Sequence, residues 1–142
     1  MKEQNFSNHT RFVPAYHFLT SFLLLVILIG SIVNIVNSSS DNLYSAWLIL
    51  SLNPVLIILF WYMRAFALKA QDRAIRAEEN FRHFILTGKP LPKSLRMAQV
   101  VALRFAPDEE FVELTTRAVN ENLGGKDIKQ SIKNWKADHN RA

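Results

Sequence analysis

Cysteine is absent from the 142-residue sequence, which excludes disulfides, thiolate nucleophiles, thiolate-held zinc and iron–sulfur ligation. Charge is absent from two long windows as well: no Asp, Glu, Lys or Arg lies between Arg11 and Asp41 or between Asp41 and Arg64. Each window exceeds the ~20 residues that a membrane-crossing helix needs. His9, His17 and His139 are scattered, with no His-x-x-x-His spacing for a metal. Thr87-Gly88-Lys89 lacks the upstream glycine and the Ser or Thr after the lysine that a phosphate loop requires. Glu79 and His83 stand one helical turn apart without a nucleophile or ligand set beside them, so no enzymatic chemistry, no cofactor and no metal is expected.

What is present is sharply divided. A mean hydropathy of +0.04 averages an apolar first half with a charged second half. Fifteen of the seventeen Lys and Arg lie from Arg64 onward, the only others being Lys2 and Arg11. Both hydrophobic runs are thus flanked by positive charge on the side of the termini, whereas the loop between them carries only Asp41. By the positive-inside rule both termini are cytoplasmic and the loop near 37–44 is external. The expected organisation is a loosely ordered cytoplasmic tail over 1–13, a transmembrane helical hairpin over 14–66 and a cytoplasmic helical domain over 67–142. A signal peptide is not favoured for Tyr16 to Val36, because the run is too long and a second span follows directly.

The stretch from Ser45 to Leu86 reads as one helix, apolar to Met63 and amphipathic beyond it. Such a helix rises roughly 60 Å, about twice the hydrocarbon thickness of a bilayer. Arg11, Tyr16, Trp61 and Tyr62 suit the membrane interface. Ser31 and Asn53 fall at matching depth in the two runs, which predicts an intramembrane polar contact between the helices. Pro54 predicts a mild kink rather than a transport site, since neither run holds a charge.

From Phe60 and Met63 an alternating three–four spacing continues through Ala67, Ala70, Ala74, Ala77, Phe81 and Phe84, the packing seam of a coiled coil or a tight helix pair. Asp72 with Arg76 and Glu78 with Arg82 place acid four residues before base. Gly88 stops the helix and Lys89-Pro90-Leu91-Pro92 makes a stiff connector. Three short helices are expected after it: one capped by Ser94 and reaching Phe105, one opening at Pro107-Asp108 and ended by Gly124-Gly125, and one from about Lys126 to His139. Lys129, Lys133 and Lys136 would line one basic face of the last helix. A small core is expected from Phe81, Phe84, Leu103, Phe105, Phe111, Ile128, Ile132 and Trp135.

The strings Arg82-His83-Phe84-Ile85-Leu86-Thr87-Gly88-Lys89-Pro90-Leu91, Gln99 to Phe111, and Ile128-Lys129 with Ile132-Lys133-Asn134-Trp135 resemble a family of uncharacterised two-span bacterial membrane proteins of the Bacteroidetes group. The resemblance implies a bacterial inner-membrane address and assigns no catalytic residue.

The fold class is therefore all-α: a two-helix transmembrane hairpin whose second span continues into a long cytoplasmic helix, followed by three short packed helices. The expected function is a non-enzymatic accessory or scaffold subunit of a bacterial cytoplasmic-membrane complex, in contact with lipid and with a membrane-protein partner or its own copy. The alternative is a self-associating membrane protein whose basic tail binds anionic lipid or the ribosome. Whether the protein's own C-terminal helices fill the alanine seam separates the two. Nucleic acid is not an expected partner, because ten acids offset the fifteen bases and no recognition motif is present.

Overall fold

The computed structural model describes residues 4–9 and 12–138, and every regular element among them is helical. α1 covers Ala15–Asn37 and α2 covers Leu43–Thr87, a single helix of 45 residues with Pro54 inside it. A one-turn 3₁₀ segment at Ser40–Asn42 joins them. Then come α3 (Met97–Leu103), α4 (Asp108–Asn120) and α5 (Gly125–Ser131). The chain divides into two compact units, Phe12–Phe66 on one hand and Met1–Arg11 with Ala67–Ala142 on the other. Arg11 and His139, both given roles from sequence, lie outside the described residues.

In the unit Phe12–Phe66, Pro14 precedes α1 and its first six residues, Ala15–Thr20, wind as a π-helix. The Thr20 hydroxyl donates to the Ala15 carbonyl at 2.9 Å, five residues back, which fits that wider turn. The buried residues here are Ser31, Ala46 and Asn53, all small or polar. Phe22, Leu25, Ile29, Leu52, Ile58 and their bulky neighbours point outward. Small residues on the shared face let two helix backbones approach closely while large side chains meet the surroundings. Both helices are long and apolar enough to cross a membrane.

In the other unit the core is assembled around α3. Val100, Leu103, Phe105, Phe111, Thr115 and Ile128 are fully buried. Burying each large apolar side chain contributes about 1.5–3 kcal/mol before chain entropy is subtracted. α3 packs most closely on α5, and Gly125 permits it: a Cβ there would stand 2.8 Å from the Ala98 carbonyl oxygen. α3 begins at Met97 and not at a Ser94 cap, because the Gln99 side chain accepts the Arg96 N–H at 2.7 Å. Gly88 ends α2 with φ +71°, its N–H donating to the Phe84 carbonyl at 2.8 Å.

Two elements depart from the sequence expectation. α5 ends at Ser131 instead of running on to His139. The carboxylate of Glu110 accepts the N–H groups of Lys133 and Asn134, each at 2.9 Å, and the Lys136 N–H donates to the Phe105 carbonyl at 2.8 Å. Those bonds hold residues 132–138 as an irregular strap across the core. Within the tail expected to be loosely ordered, the described residues 4–9 are tied down. Asn5 to Asn8 form a side-chain-bonded turn, and His9 packs edge-on to Phe105 with centroids 5.8 Å apart and against Trp135 at 5.7 Å.

Candidate functional site

The second half of α2 presents two distinct faces. One carries Ile75, Glu79 and His83 at successive four-residue steps, all buried. His83 and the arginines beside this face meet carbonyls brought in from other segments. His83 Nδ1 meets the Lys89 carbonyl at 2.8 Å, Arg76 donates to the Leu95 carbonyl at 2.6 Å, and Arg82 donates to the Ala106 carbonyl at 2.8 Å. Arg82 also pairs with Asp108 at 2.6 Å and with Glu79 at 3.1 Å, while its guanidinium lies 4.3 Å from the centroid of Phe111. The ion pair expected between Glu78 and Arg82 is replaced by Glu79 and Arg82, because Glu79 shares the inward face and Glu78 does not. Glu79 and His83 are both buried but have separate partners, so they do not form an acid/base pair.

The opposite face is the predicted seam. Ala67, Ala70, Ala74 and Ala77 are exposed, and Phe81 and Phe84 retain 64% and 52% of their surface. Neither phenylalanine joins the core, a correction to the sequence reading. α4 and the connector after α2 dock on the Ile75–His83 side, where carbonyls meet side-chain donors, and leave the apolar seam open. Among the described residues the seam is therefore not filled in cis.

Beside the inward face lies a cavity of about 330 Å³, lined by Gln71, Glu78, Glu79, Arg104, Lys136 and Asp138 and bordered by Ala74 of the seam. Arg104 and Asp138 form an ion pair at 2.8 Å across it. Burial raises the Glu79 carboxyl above its ordinary value, with Glu78 adding to the rise and Arg82 and Lys136 opposing it. Glu110 behaves oppositely: partial burial pushes its carboxyl up, but the bonds from the Lys133 and Asn134 backbones and the Asn134 amide outweigh it, and the result is lowered. Among the described residues no three His, Asp or Glu groups stand close enough to hold a metal ion.

The three lysines do not share a surface. Lys129 lies 3.0 Å from His9 Nε2 and 5.7 Å from the Phe105 centroid, Lys136 lines the cavity, and Lys133 is exposed on the strap. They diverge because the helix that would align them stops at Ser131. No sequence signal marked this, since Ile132 and Trp135 keep helical spacing.

In the other unit Asn53 Nδ2 donates to Ser31 Oγ at 2.9 Å, and both residues are almost wholly buried. Ser31 passes the bond on to the Leu28 carbonyl at 2.8 Å. Asn53 also reaches the Leu50 carbonyl at 3.2 Å. That carbonyl is the one Pro54 cannot satisfy, for want of an N–H, so the asparagine compensates the proline beside it. Tyr16 stacks on Phe60 at 4.4 Å and its hydroxyl donates to the Phe60 carbonyl.

No curated protein and no solved structure matches the chain. The model of a family of unknown function, DUF6526, matches residues 1–142, and the chain belongs to that family.

Proposed function

We propose that this protein is a non-enzymatic accessory or scaffold subunit of a complex in the bacterial cytoplasmic membrane. The observation that carries the reading is the division of labour in the unit Phe12–Phe66. Its buried residues are small or polar, and most of its bulky apolar side chains face outward. A helix pair of that kind meets lipid and larger membrane subunits with the same surface. The bacterial address rests on the family resemblance of the second half.

The proposed topology, with both termini in the cytoplasm, has structural support beyond loop charge. Gln4 and His9 bond and pack with Asp138, Phe105 and Trp135, so the segment before α1 and the unit after α2 share one compartment. The alternative of a basic tail on lipid or ribosome draws less support, because Lys129 and Lys136 are turned to His9 and to the cavity.

The test is a pull-down from native membranes in mild detergent with the tag at Ala142, reading the mass of the intact assembly. A larger membrane protein in fixed stoichiometry is the expected result. Recovery of this chain with its own copies alone would overturn the accessory reading.

A further inference from the structure

We infer that the open face of α2 between Ala67 and Phe84 is a self-recognition surface, which pairs two copies of this chain as parallel helices. The inference rests on the membrane reading above for the direction of approach and adds the identity of the occupant. In heptad terms Ala67, Ala74 and Phe81 take one seam position and Ala70, Ala77 and Phe84 the other. Ile75, Glu79, Arg82 and His83, which pack within the chain, fall on the outer positions; Asn80, which accepts the Leu91 N–H at 2.9 Å, stands on one flank, and Ala74 borders the cavity. A second helix can thus be seated on the seam without displacing the contacts of Ile75, Glu79, Arg82 and His83. Four alanines allow close approach of the backbones, and the exposed Phe81 and Phe84 supply apolar area at one end.

Charge selects the partner and its direction. The positions flanking the seam hold Arg73 on one side and Glu78 on the other, both exposed and without an ion-pair partner among the described residues. In a parallel pair the flanking residue at i faces the opposite flank at i+5 of the second helix, which sets Arg73 against Glu78 of the other copy. Two-fold symmetry produces the contact twice. An antiparallel pair forfeits this match, placing like flanks together and leaving Arg73 near neutral Asn80. Two copies inserted in one membrane with the same topology present α2 in the same direction, the arrangement that the charges favour.

The lack of native cysteine makes the test direct. Single substitutions Ala70→Cys, Ala74→Cys and Ala77→Cys in native membranes are expected to yield oxidised dimers, with Lys69→Cys, on the outer side, as the unreactive control. Arg73→Glu and Glu78→Arg should each weaken association by at least about tenfold, and the double exchange should restore it. No cross-link at the three alanines in protein of normal helical content, or a double exchange that fails to restore pairing, overturns the inference. Cross-linking alongside an empty pull-down sinks the accessory reading and leaves the pairing intact; a partner recovered with a single copy of this chain does the reverse.

Discussion

Gln4 and Asp138 exchange two hydrogen bonds across 134 residues of sequence, the Gln4 amide donating to the Asp138 carbonyl at 3.1 Å and accepting the Asp138 N–H at 2.8 Å. One side chain therefore closes the segment before α1 onto the end of the strap. Replacing it leaves both backbone groups to water. Gln4→Ala is expected to lower stability by about 1 kcal/mol, measured by chemical denaturation in detergent with Trp135 fluorescence following the strap.

Glu79 and Glu110 predict opposite dependences on pH. The folded protein holds the Glu79 proton more tightly than the unfolded chain does, so between the ordinary value of 4.5 and the raised folded value its contribution falls as pH rises. The contribution of Glu110 is present above 4.5 and is lost as pH falls through its lowered folded value. Glu79→Gln should flatten the decline above 4.5, and Glu110→Gln should flatten the loss below it. Melting curves of the three proteins across acidic to neutral pH read both slopes; identical slopes would dismiss the assignments.

Gly125 has no room for a side chain, since its Cβ would press on the Ala98 backbone oxygen at 2.8 Å. Gly125→Ala should cost about 1–3 kcal/mol by forcing α3 and α5 apart. Gly30, where a Cβ meets nothing within 4 Å, is the control, and Gly30→Ala should leave stability unchanged or raised. Thermal denaturation of the two variants side by side decides it.

Asn53→Ala removes the bond to Ser31 and the compensation for Pro54 together. A cost of about 1 kcal/mol is expected, near the upper end for a single hydrogen bond between membrane helices because two acceptors lose their donor. Asn53→Ala compared with Ser31→Ala separates the effects: the serine variant breaks the bond between the helices and leaves the Leu50 carbonyl served. Equal losses in the two variants would remove the proline argument.

The helices were legible in the sequence where one physical cause dominates. Unbroken apolar runs marked α1 and the start of α2, glycine marked the end of α2, and Pro107 with three acids marked the start of α4. The heptad spacing identified a real apolar face but carried no information about what covers it, which is why Phe81 and Phe84 were expected in the core. The partners of Arg82 and His83 were not legible because they include carbonyls at Ala106 and Lys89 that only the tertiary fold brings near, and Glu79 takes the place of Glu78 beside Arg82. The early end of α5 was hidden for the same reason. Glu110 stands in the first turn of α4, and its capture of the N–H groups of Lys133 and Asn134 depends on closing sequence separations of 23 and 24 residues.

The packing of His9 on Phe105 and Trp135 sets an order of events during synthesis. Ser31 meets Asn53 only 22 residues later, so the hairpin closes early. His9 is made before Trp135 and must wait for it, which at an elongation rate of ~20 residues per second takes about 6 s. During that interval the core of the helical unit has its first piece and lacks its last, and an early chain stop beyond α2 would leave the tail without its docking site.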